Sequence, residues 1–294
     1  METGIALPQY GTHARADRIA VFARDAEDAG FDSLWVGDRV LTPVAPGDIY
    51  PGHTPEDPYP RQYRTFLDPL TVLTVAAGAT SRARLGMSTL NGPWYPPVLL
   101  ARSLTSLDQV SGGRLDVGLG IGWLRDEYTA VGADFARRGA LLDELLDVLD
   151  GIWTREEFGH EGPRWTIPVS YVGLRPVQPA GPPVHLGGFS PAALRRVGRR
   201  AAGWVGAVLP PGVAEGLWEE ARRAAEEAGR DPDALRRRIR FNPAPGATAD
   251  AIARVLSGVR DTGADGCFVD LQQSVGSPEE ALELGCEVLD LLRG

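Results

Sequence analysis

The sequence predicts an α/β chain folded as one (β/α)8 TIM barrel, residues 1–294, with a long loop after the second strand. Three observations carry this. Short apolar runs alternate with helical stretches eight times, each unit takes about 37 of the 294 residues, and no G-x-G-x-x-G follows the first strand. The missing glycine fingerprint turns the reading away from a doubly wound open sheet, which has the same alternation.

Residues 4–8 read as a strand, and 13–29 as a helix with Ile19, Phe22, Ala23 and Ala26 on one face and Gly30 as its stop. The second strand, 33–37 (S-L-W-V-G), closes on Asp38-Arg39. Residues 41–66 then lose all periodicity and hold prolines, three tyrosines and His53. A loop this long inside a regular alternation is expected to cover a substrate, the plain alternative being a mobile surface segment. A helix over 68–79 leads to the third strand, 84–90. The helix after it carries Leu99, Leu100, Leu104, Leu107 and Val110, and Ser111-Gly112-Gly113 ends it. The fourth strand, 115–119, opens into Gly118, Gly120 and Gly122, where bare backbone would let a ligand lie close. Residues 137–153 form the clearest helix, 158–177 read as irregular, and the fifth strand, 185–188, runs into Ser190-Pro191, a good helix start. Strands at 203–209, 238–242 and 266–271 alternate with helices at 213–229, 249–262 and 278–292.

Composition excludes several chemistries. All 30 basic residues are arginine, so a Schiff-base lysine, a pyridoxal phosphate anchor and a P-loop lysine are ruled out. The four histidines show no metal-ligand spacing, and Cys267 and Cys286 read as packing. A net charge of −9 argues against nucleic acid and anionic membranes as partners. No apolar run is long enough for a membrane span, and the start lacks a signal-peptide pattern, so a cytoplasmic address is expected.

In a barrel the site lies where the strands end. Gly187-Gly188-Phe189-Ser190 offers backbone N–H groups and a hydroxyl at a helix start, which suits a phosphate, or else simply makes a tight turn. Trp94, Tyr95, Trp123 and Tyr128 crowd the strand ends, where flat rings line a slot for a planar ligand or fill the core. Asp38-Arg39 reads as an acid–base pair or a salt bridge at the barrel mouth, and Asp126 and Glu127 as the acidic first turn of a helix. With few acids and bases and no nucleophile motif, the site suggests a cofactor that brings its own chemistry.

The stretches G-F-D-S-L-W-V-G-D (30–38), D-P-L-T-V-L-T-V-A-A-G-A-T-S-R-A-R-L-G (68–86), L-D-Q-V-S-G-G-R-L-D-V-G-L-G-I-G-W (107–123), R-D-E-Y (125–128) and P-P-V-H-L-G-G-F-S (182–190) resemble the luciferase-like monooxygenase superfamily. The resemblance implies a barrel with a flavin ring at its mouth, either FMN or the deazaflavin coenzyme F420, and is nearest the F420-dependent branch. It implies Ser88-Thr89 as a bulge behind the ring, often a non-proline cis peptide. It sets Gly120, Ile121, Gly122 and Trp123 beside the ring, and Gly187, Gly188, Phe189 and Ser190 at the phosphate. The family usually has Asp-His where this chain has Asp38-Arg39, and arginine cannot act as a general acid or base near neutral pH. Arg39 is therefore read as binding a carboxylate or steadying a reduced, anionic flavin, with His53 as a candidate replacement for the histidine.

The first expectation is hydride transfer between F420 and a small organic substrate. The alternatives are an FMN-dependent monooxygenase supplied by a flavin reductase, and a non-catalytic flavin or F420 binder. A homodimer is compatible with all three.

Overall fold

In the computed structural model, which describes residues 1–210 and 212–294, eight parallel strands close into a barrel. They are β1 (Glu2–Ala6), β2 (Ser33–Val36), β3 (Arg84–Met87), β4 (Leu115–Gly120), β5 (Val184–Gly187), β6 (Gly203–Ala207), β7 (Arg236–Phe241) and β8 (Gly266–Val269). Each pairs with its sequence neighbours, and Ile5 opposite Val269 closes β1 on β8. The expected TIM barrel is therefore present.

Helices α1 (Ile19–Ala29), α2 (Pro69–Ala79), α3 (Pro97–Ser111), α4 (Arg125–Ala130), α5 (Arg138–Thr154), α6 (Pro191–Arg200), α7 (Val213–Glu227), α8 (Ala249–Asp261) and α9 (Pro278–Arg293) form the connections. Local chemistry sets their ends: Asp68, Ser190, Thr248 and Ser277 cap α2, α6, α8 and α9 through side-chain oxygens, and α3 stops at Gly112, whose φ is +66°. The helix expected from residue 13 begins at Ile19, after two 3-10 turns that bury His13 against the Val275 carbonyl at 2.9 Å.

Strand alternation separates two packing layers. Leu34 and Val36 join the core between sheet and helices, while Trp35, between them, stacks on Phe268 inside the barrel, with ring centres 4.4 Å apart. A Cβ on Gly86 would come within 2.5 Å of that indole, so the neighbouring strand keeps a glycine there. At the opposite end from the cavity described below, Asp116 accepts two bonds from Arg84, at 2.6 and 2.8 Å, and lies 3.4 Å from Arg238.

One expectation fails. Residues 158–177 are not simply irregular, because Glu157–Glu161 and Thr166–Tyr171 pair as an antiparallel hairpin outside the barrel, with a bulge between Phe158 and His160. Its glycines, Pro168 and the bulge break the strict alternation that marks a strand in sequence. Phe158 packs on Gly151 and His160 sits 3.1 Å from the Glu144 carboxylate, pinning the hairpin to α5.

Candidate active site

The C-terminal ends of the strands open on a cavity of about 280 Å³. Its back wall is made by an interruption of β3. That strand stops at Met87 and resumes as Leu90–Asn91, pairing Leu90 with Leu119 and Asn91 with Gly120, whereas lower down Gly86 faces Asp116. The third strand thus spends one residue more than β4, which is a bulge at Ser88 and Thr89. The Ser88–Thr89 peptide is cis, as the family resemblance implies.

The bulge also explains the glycines of β4 and β5. A Cβ on Gly118 would lie 1.7 Å from the Met87 carbonyl oxygen, one on Gly120 2.3 Å from Thr89 Oγ1, and one on Gly187 2.8 Å from Thr89 Cγ2. Gly122, at φ +61°, leaves room for the Asn91 side chain. At Gly118 and Gly120 the space is therefore filled by the adjoining strand, while Gly122, beyond the end of β4, lines the cavity.

Asp38 and Arg39 leave β2 in different directions. Asp38 Oδ2 accepts the Asn91 N–H at 2.8 Å and the Tyr95 hydroxyl at 3.5 Å. Burial pushes its carboxyl up to about 7, with the negative charges of Glu127 and Asp68 adding to the shift and the Asn91 N–H opposing it. Arg39 does not pair with Asp38. Its guanidinium bonds Glu127 Oε2 at 2.9 Å and lies over the rings of Trp123, at 4.9 Å, and Tyr63, at 5.1 Å. Glu127 is accordingly no exposed helix-dipole acid: it is buried, holds the Val40 N–H at 3.0 Å, and has its carboxyl raised by burial.

A second cation, partly buried Arg240 at the top of β7, bonds Asp270 and donates to the Ser88 carbonyl at 3.0 Å. Burial alone would lower its pKa, but the Asp270 carboxylate outweighs that and raises it. Tyr10 donates to Asp270 at 3.1 Å, and Gln273 links Tyr10 to Tyr63, so strand tops and loop share one polar network.

Residues 41–66 lie across the mouth. Tyr50, Tyr63 and Phe66 line the cavity, and Tyr50 meets Trp123 edge-on at 5.3 Å. Outside it, Gly47 N–H donates to Asp126 at 2.9 Å and Arg125 N–H to Asp48 at 2.9 Å.

Of the residues singled out in the sequence, Asp38, Arg39, Ser88, Thr89, Gly122, Trp123 and Phe189 line the cavity. Gly120 and Gly187 flank Thr89, and Gly188, at φ +135°, adjoins Ser190 at the start of α6. Ile121 turns its carbonyl to the Tyr128 hydroxyl. Trp94, Tyr95 and Tyr128 are not on the cavity wall: Trp94 packs edge-on against Tyr128, and Tyr95 packs against the core with its hydroxyl 3.5 Å from Asp38. His53 is not on the wall either, lying behind Tyr50 with its ring bonded to the Asp57 carbonyl at 3.0 Å. Sequence reasoning singled out none of Tyr50, Tyr63, Phe66, Asn91 and Arg240, although the first three lie in the loop expected to cover a substrate, and it read Glu127 only as a first-turn acid. Arg240 alone had a signal, since R-R-R-I-R on a barrel strand sends alternate arginines inward.

The barrel with its bulge at the mouth agrees with a family of oxidoreductases that the sequence matches. The chain belongs to the luciferase-like monooxygenase family, whose model matches residues 2–283. It is similar to an uncharacterized protein of Mycobacterium tuberculosis, 34% identical over 214 residues, 71% of each chain. It also resembles an F420-dependent glucose-6-phosphate dehydrogenase of Kineococcus radiotolerans, 30% identical over 64% of this chain and 51% of that one. An FMNH2-dependent dimethylsulfone monooxygenase of Pseudomonas putida is 30% identical over 46% of this chain and 38% of its own length. Among solved structures, monooxygenase RslO1 from Streptomyces bottropensis superposes with a TM-score of 0.80 at 20% identity, covering 100% of this chain and 99% of its own. An F420-dependent secondary alcohol dehydrogenase gives 0.80 at 15% identity over the same shares, so both likenesses speak to the fold. Among the described residues no helix is long and apolar enough to cross a membrane.

Proposed function

We propose that this chain transfers a hydride between coenzyme F420 and a small organic substrate held at the barrel mouth, with Asp38 moving the accompanying proton. The observation that carries this reading is Asp38 on the cavity wall, with its carboxyl raised to about 7. A general acid–base group is most effective when its pKa lies near the working pH, and Asp38 meets that condition beside Arg39, which stands where the family usually has a histidine.

The residues fit a flavin-type ring. Arg39 and Arg240, though paired with Glu127 and Asp270, each keep a buried Nε without a hydrogen-bond partner among the described residues, beside the aromatic walls of Tyr63, Trp123 and Phe189. Gly188, Phe189 and Ser190, at the start of the 10-residue α6, suit the phosphate. F420, when bound, supplies two-electron hydride chemistry and little reactivity toward oxygen. In alcohol oxidation the Asp38 carboxylate takes the hydroxyl proton as the carbon loses its hydride, leaving a carbonyl; in the reverse direction the carboxylic acid returns the proton. Arg39, fixed by Glu127, steadies negative charge, and residues 41–66 exclude water over the substrate. The acidic chain suits a cytoplasmic setting.

The dimethylsulfone monooxygenase relative keeps FMN with oxygen chemistry as the second reading. F420 reduction by a panel of alcohols should show a rate that rises through pH 7 and falls about 10²- to 10⁴-fold in Asp38→Asn. An unchanged pH profile in that variant would remove Asp38 from the mechanism, and oxygen consumption with reduced FMN would favour the second reading.

A further inference from the structure

On the outer side of the barrel, sharing no lining residue with the mouth cavity, a half-open groove of about 350 Å³ lies between α7 and α8 over β7. Leu209, Ala214, Ile239, Val255 and Val259 make its walls aliphatic. Its floor holds Arg237, whose side chain is 3% exposed. The Nε atom is enclosed without a hydrogen-bond partner among the described residues. The nearest carboxylate oxygen, on half-exposed Glu215, stands at 3.9 Å, and the Trp218 ring centre at 6.0 Å, so neither satisfies the guanidinium.

Two other partly buried arginines hold carboxylates at hydrogen-bond distance: Arg84 chelates Asp116 at 2.6 and 2.8 Å, and Arg196 chelates Asp143 at 2.6 and 2.9 Å. Burial lowers the pKa of Arg237 while Glu215 and Glu219 push it up, yet a guanidinium stays protonated. A buried cation whose carboxylate neighbour stays beyond hydrogen-bond distance is costly, and an anion that bonds it directly and covers the aliphatic walls would offset that cost. Glu215 at the rim disfavours a second negative charge.

We infer that this groove binds an aliphatic monocarboxylate, with its carboxylate on Arg237 and its chain along the apolar residues of α7 and α8. Nothing in the barrel mouth takes part, so the site stands independently of the proposed hydride transfer. Calorimetric titration of the full chain with decanoate, and separately with 1-decanol, tests it. Decanoate should bind saturably at one site, with 1-decanol weaker by about tenfold or more, the usual worth of a charged hydrogen bond. Arg237→Met should weaken decanoate by about the same factor and leave 1-decanol unchanged. Gly258 gives a second variant, because it lines the groove and a Cβ there would meet nothing within 4 Å. Gly258→Leu should fill the groove and abolish decanoate binding while the circular dichroism melt stays cooperative. Equal affinity for decanoate and 1-decanol, binding that survives Gly258→Leu, or no saturable binding would each overturn the inference.

Discussion

Asp38 is an ordinary carboxyl changed by its surroundings, and the change can be read in stability as well as in rate. Its folded pKa of about 7 lies above the roughly 3.9 of an unfolded aspartate, so the folded state binds the extra proton between those values. The resulting stabilisation is complete below about pH 4 and is lost as pH rises through 7, amounting to at most about 4 kcal/mol. Asp38→Asn, which keeps an acceptor for the Asn91 N–H, should therefore melt higher than the parent at pH 8 and at the same temperature at pH 4. A variant no more stable at pH 8 would mean that Asp38 is not held neutral by burial. Arg39 follows the opposite logic: its charge is tolerated because Glu127 and two aromatic faces meet it, which fixes the guanidinium as part of the wall.

Among the elements, the bulge and the α6 turn position the site. Gly188 sits at φ +135°, and a Cβ there would lie 2.6 Å from the Ala193 methyl, so Gly188→Ala must shift the turn that suits a phosphate. Cofactor affinity should fall about tenfold or more, with a smaller loss of thermal stability; unchanged affinity in a fluorescence titration would move the phosphate elsewhere. These elements were legible because their signals are local: a Gly-Gly run before Ser-Pro, and S-G-G-R leading into strand glycines. The same locality misled at Gly118 and Gly120, whose missing side chains make room for Met87 and Thr89, contacts set by the neighbouring strand. Glu127 read as a first-turn acid because its partner lies 88 residues away, and a loop without period gave no sign that Tyr50, Tyr63 and Phe66 turn to the cavity while His53 does not. The strand-end aromatics were read as walls of a slot, but Trp94 and Tyr128 pack edge-on against each other and are not among the residues that line the cavity.

At the scale of the whole molecule, the two ends of the barrel interior use charge differently. At the lower end Asp116 is surrounded by Arg84, Arg238 and His185, and although burial pushes its carboxyl up, these partners hold it well below the usual carboxylate range. A depressed folded pKa contributes stability that is present above the unfolded value near 4 and lost as pH falls through the folded one. Asp116→Asn should thus destabilise the protein by about 3–5 kcal/mol at pH 7 in denaturant melts, with the gap to the parent narrowing only below about pH 4. At the upper end, Arg39 and Arg240 line a cavity in which the nearby carboxyl of Asp38 titrates near neutrality, an arrangement suited to an anionic ring and one mobile proton. The most direct test of that account is a side-by-side fluorescence titration of the purified chain with F420 and with FMN in one buffer. Tight, selective binding of F420 is the expected result. Selective binding of FMN, or of neither, would contradict it.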